Sequence, residues 1–95
     1  MGQYASLVET GSRDVQNAQD LATIWGEVRA EIADHDAELV DAYAVLGQYD
    51  FIVIFEAADR ESAYKTALTF RRHGLDGSTM DVMDTEAFGA LVDDL

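Results

Sequence analysis

The chain has no cysteine. A disulfide framework, a thiolate nucleophile and a cysteine metal site are therefore excluded, and the composition suits a cytoplasmic setting. Proline is also absent, as are repeats and low-complexity stretches, so nothing marks a linker or a second domain. One domain over residues 1–95 is the expectation. No apolar run approaches the ~18 residues of a membrane span, and no basic-then-apolar leader opens the chain.

Basic residues are scarce. Lys65 is the sole lysine, beside Arg13, Arg29, Arg60, Arg71 and Arg72, against nineteen acids and a net charge of −13. The acids run from Glu9 to Asp94 and are not gathered in a block. Even spread with little lysine reads as a salt-adapted surface: molar salt shortens the Debye length to ~3 Å and makes such self-repulsion tolerable. Nucleic-acid binding is disfavoured, because phosphate contacts need clustered lysine and arginine.

Catalytic patterns are missing too. His35 and His73 are the only histidines, each near an expected helix end and neither in a metal-ligand spacing. No glycine-rich phosphate loop, nucleophile elbow or Ser/His/Asp arrangement appears. Neighbouring acids such as Asp34/Asp36 and Asp93/Asp94 arise from composition alone. No catalytic residue, metal site or cofactor is nominated on these grounds.

What is present is enough for a core. Apolar residues make up 48% of the chain, although a domain this short buries only roughly 60–65% of its unfolded surface. Residues 3–10 read as a strand and 11–14 as a loop. Asn17 or Asp20 caps a helix to about Asp34, whose stripe is Leu21, Ile24, Trp25, Val28 and Ile32. Residues 38–46 and 49–57 read as a hairpin about Gly47-Gln48. Asp59 caps a second helix that Gly74 ends, with Ala63, Tyr64, Ala67, Leu68 and Phe70 facing inward. Residues 78–83 read as a fourth strand. Asp84 or Thr85 then caps a last helix with Phe88, Leu91, Val92 and Leu95 on one stripe. The order β-α-β-β-α-β plus a terminal helix is that of an α+β, ferredoxin-like sandwich.

A two-residue turn pairs Ala44 with Phe51 and sorts the hairpin into two faces. Val40, Ala42, Ala44, Leu46, Tyr49, Phe51, Val53 and Phe55 form an apolar face for the helices. Leu39, Asp41, Tyr43, Val45, Asp50, Ile52, Ile54 and Glu56 form the other, too apolar in its middle for open water. The same parity adds Tyr4, Ser6, Val8, Thr79, Asp81 and Met83 to that open face. A second copy stacking its own open face would close it as a homodimer; the alternative is a monomer whose last helix folds across. The polar groups converging there, Tyr4, Ser6, Asp41, Tyr43, Asp50 and Asp81, are the candidate small-molecule site.

At Leu46-Gly47-Gln48-Tyr49-Asp50-Phe51 the chain resembles the GYD family, whose signature is a Gly-x-Tyr-Asp turn entering an apolar strand. The likeness continues through Glu56-Ala57 and returns at Asp84-Thr85-Glu86-Ala87-Phe88. A similar turn occurs in the sensing domains of Lrp/AsnC regulators. The resemblance implies a dimeric α+β barrel and no established activity. It carries Gly47, Tyr49 and Asp50 over as motif residues, where a structural turn role outweighs direct ligand contact. Three functions stay open: a non-catalytic small-molecule-binding or regulatory module, a cofactor-free monooxygenase or isomerase of the dimeric barrel type, and an interaction protein without a ligand.

Overall fold

The computed structural model describes residues 2–10 and 18–95, with side chains described for 2–10 and 22–95. The elements are β1 (Gly2–Glu9), α1 (Ala18–Ala33), β2 (Ala37–Ala44), β3 (Phe51–Ala57), α2 (Arg60–Arg72), β4 (Asp76–Val82) and α3 (Thr85–Asp93). The strands form one antiparallel sheet in the order β2-β3-β1-β4. Each helical crossover therefore skips one strand, as the split βαβ topology requires. The α+β class and the element order are those the sequence suggests.

α1 and α2 cover one face of the sheet. Val28 and Ile32 of α1 and Ala63 and Phe70 of α2 meet Val8, Leu39, Val53 and Phe55 in a single core. Phe55 lies at its centre, with Tyr4 stacked at 5.3 Å and Phe70 edge-on at 5.8 Å. Trp25, partly buried, packs its ring against this core, edge-on to Phe51 at 5.1 Å and to Phe70 at 6.0 Å. Its indole N–H is buried without a partner among the described residues. The two helices are tied together by Glu31, which shares a 2.7 Å hydrogen bond with His73 and pairs with Arg72.

Helix ends follow the capping chemistry. The Asp59 carboxylate accepts the Ser62 N–H at 2.8 Å and opens α2. Gly74 closes it at φ 79°, where its N–H reaches the Arg71 carbonyl and Leu75 turns back into the core. The Asp84 carboxylate opens α3 by accepting the Ala87 N–H at 2.7 Å. Asp20 lies inside α1 and is not its cap. Asn17, the 11–14 loop with Arg13, and the Leu21 side chain lie outside the described residues.

Two expectations about packing are corrected. The inward arc of α2 is Ser62, Ala63, Thr66, Thr69 and Phe70. Tyr64 and Leu68 point outward, 62% and 57% exposed. Threonine is admitted inside because the hydroxyls of Thr66 and Thr69 donate to the carbonyls of Ser62 and Lys65 one turn back. In the hairpin, Ala44 does pair with Phe51, but a bulge between Leu39 and Asp41 sets Leu39 opposite Phe55. Leu39 is then buried in the core and Val40 is left exposed, the reverse of the expected faces. The turn is also longer than two residues. Val45 N–H bonds the Asp50 carbonyl at 2.9 Å, so Leu46–Tyr49 form a four-residue loop. Leu46 stands in solvent at its tip and does not join the core face.

α3 leaves the sheet after only Met83 and Asp84 and runs on beyond it. None of its residues is buried, and the molecule measures 51 × 31 × 17 Å. The terminal helix does not fold back over the open sheet face.

Candidate functional site

The six candidate residues do not converge. Cross-strand register places Tyr4 opposite Phe55 and Asp81, and Ser6 opposite Val53 and Thr79. Cross-strand partners share a face, so Tyr4, Ser6, Val8, Thr79 and Asp81 lie on the helix-covered side and not on the open one. The correction has a simple cause. β1 carries an apolar residue on each parity, Leu7 on one and Val8 on the other, so its phase is not set by hydropathy. Only pairing with β3, whose Val53 and Phe55 must be buried, decides it.

Asp41 and Tyr43 do face the open side, opposite Ile54 and Ile52. With Ala5, Leu7 and Met80 they border a bare apolar centre. Asp50 belongs to neither place. Its N–H donates to the Val8 carbonyl at 2.8 Å. Its carboxylate accepts the Thr10 N–H at 2.9 Å and the Thr10 hydroxyl at 3.0 Å. Asp50 thus fastens the end of β1 to the hairpin, which is a structural role. Gly47, at φ 148°, supplies a backbone conformation that side chains disfavour. Tyr49 is half-buried beside it.

The helix side of β1 and β4 is where polar groups gather. A groove of about 570 Å³ lies between α2 and β4, bordered by Tyr4, Arg60, Tyr64, Ala67, Arg71 and Asp81 among others. Its size falls within the ~300–1,000 Å³ typical of small-molecule sites. The space exists because small residues face it: Ala63 and Ala67 on α2 and Gly77 on β4. A Cβ on Gly77 would come within 2.9 Å of the Leu7 carbonyl oxygen, so glycine there keeps β4 close to β1. Thr79 also lines the groove, and its hydroxyl shares a 2.8 Å hydrogen bond with that of the buried Ser6. The Tyr4 ring is fixed by Phe55 beneath it. Among the lining residues, the Arg60 guanidinium sits 5.6 Å over the Tyr64 ring, a cation–π placement.

Two of the candidates, Tyr4 and Asp81, therefore line one concave site. Arg60 and Arg71 were not anticipated. Their signal was available: Arg60, Tyr64, Ala67 and Arg71 recur at i, i+4, i+7 and i+11, one row of a helix. Among the described residues no group of histidine, aspartate and glutamate is arranged to hold a metal ion. Nor, among the described residues, is any helix long and apolar enough to cross a membrane.

Comparison with known proteins agrees with the resemblance read from the turn. The family model described as GYD domain matches residues 4–92. No curated protein and no solved structure matches the chain with significance.

Proposed function

We propose that this chain, which belongs to the GYD domain family, is a non-catalytic small-molecule-binding module that works as a homodimer in a salt-rich cytoplasm. The groove between α2 and β4 carries the reading. It offers a small-residue wall, a fixed aromatic ring, hydroxyls and both signs of charge within one cavity of ligand size. The homodimer rests on the open face, where Tyr43 and Met80 are 54% and 41% exposed beside Ile52 and Ile54. A single sheet with helices on one side leaves such a surface wet unless a second copy covers it. Dimerisation there leaves the groove accessible, because the two surfaces lie on opposite sides of the sheet.

The test is native mass spectrometry of the protein after incubation with the small-molecule fraction of a cell extract. A bound species is expected on the wild type and not on Ala67→Leu, which fills the groove wall from a helix position without touching the central core. The variant should melt within a few degrees of the wild type. A bare wild type, or an adduct that Ala67→Leu retains, overturns the groove as the site. A cofactor-free enzyme is the second reading, favoured by the cross-strand pair of Tyr4 and Asp81, a phenol and a carboxyl group lining the same groove. The mass of the recovered molecule separates the two, since a binder returns it unchanged.

A further inference from the structure

α2 and α3 present complementary outward stripes that never meet within one chain. On α2, Tyr64 and Leu68 stand one turn apart as an exposed apolar ridge, 62% and 57% exposed. The helix holds four of the chain's six basic residues, Arg60, Lys65, Arg71 and Arg72, against one acid, Glu61. It is the one strongly cationic element of a chain of net charge −13. On α3, Phe88, Leu91 and Val92 are 57%, 55% and 43% exposed and lie on a single stripe, and Leu95, just past the helix end, is 98% exposed. α3 and its caps carry Asp84, Glu86, Asp93 and Asp94 and no basic residue.

The two patterns match in length as well as in sign. Asp84 and Asp94 stand at the two ends of α3, ten residues and ~15 Å apart at 1.5 Å per residue. Arg60 and Arg71 bracket the α2 ridge, eleven residues and ~16 Å apart. The acid–apolar–acid stripe can thus lie along the base–apolar–base ridge with an ion pair at each end. α3 does not reach its own α2, because it follows β4 after two residues and runs away from the sheet.

We infer that α3 of one chain docks on the Tyr64–Leu68 ridge of α2 in a second copy. Exchanged reciprocally about a two-fold axis, the contact satisfies both stripes on both chains and closes. It lies on the helix side of the sheet, separate from pairing through the open face, and it shares Arg60, Tyr64 and Arg71 with the rim of the groove, so a docked α3 borders the groove mouth. Molar salt screens its end charges and also the repulsion between two chains of net charge −13, so the apolar centre carries the contact there.

Sedimentation equilibrium in molar potassium chloride tests it, using Leu68→Glu on α2 and Leu91→Lys on α3. Both side chains are exposed, and circular dichroism with thermal melting checks that each variant folds as the wild type does. Each variant alone is expected to weaken association at least tenfold, lowering the average mass. An equimolar mixture of the two is expected to exceed the average mass of either variant alone, because a mixed pair keeps one contact with both stripes unaltered and sets the new acid against the new base in the other. A monomeric wild type, variants that associate like the wild type, or a mixture no heavier than either variant alone overturns the proposal.

Discussion

Among single residues, Asp50 shows how a signature side chain can serve a strand far from its own turn. Its carboxylate accepts two hydrogen bonds from Thr10, whose backbone is buried at the end of β1. Removing it leaves the Thr10 N–H without a partner, which costs about 2 kcal/mol when a buried donor is orphaned. Asp50→Ala should therefore lower the melting temperature by several degrees while small-molecule binding in the folded protein is retained. Unchanged melting with lost binding would return Asp50 to the site. Gly47 and Asp50 were legible from the turn motif alone, but Thr10 was not. It lies forty positions away in sequence and becomes a partner only when β1 inserts beside β3.

Individual elements were more legible, because capping is local chemistry. Asp59 opens α2 where expected, and hydrogen bonding from Ser62, above all its backbone N–H, holds the carboxyl below its ordinary value of 3.8. A lowered folded-state value means the cap's contribution is full above the ordinary aspartate range and is lost as the pH falls through the lowered one. The melting temperatures of wild type and Asp59→Ala should therefore differ near neutrality and converge in strong acid. A constant gap across that range would show that the carboxylate does not act as the cap. The rotation of α2 was not legible. Apolar spacing favours Tyr64 and Leu68 as inward residues, yet threonine occupies that arc because its hydroxyls are satisfied by the helix backbone itself. The bulge at Val40 is of the same kind: one unpaired residue moves Leu39 into the core, and no local residue pattern announces it.

As a whole, the molecule is one layer of helices on one sheet, with charge of one sign nearly everywhere except α2. Repulsion among so many carboxylates opposes compaction in dilute buffer and is screened in brine. The melting temperature should climb steadily with potassium chloride up to the molar range. Sulfate at equal ionic strength should raise it further, by favouring apolar burial. Flat or falling melting with added chloride would remove the salt-adaptation reading. The same experiment followed by sedimentation reports on assembly, since both exposed apolar surfaces, the open sheet face and the α3 stripe, gain from salt.

Composition, strand and helix order, the Asp59 and Asp84 caps and the packing of Trp25 against the core follow from the sequence alone, because each depends on residues within a few positions of one another. The phase of β1, the bulge in β2, the outward turn of Tyr64 and the groove between α2 and β4 were decided only by tertiary structure. Each depends on which distant strand or helix lies alongside. A strand with apolar residues on both parities has no preferred face until a neighbour that must be buried supplies one.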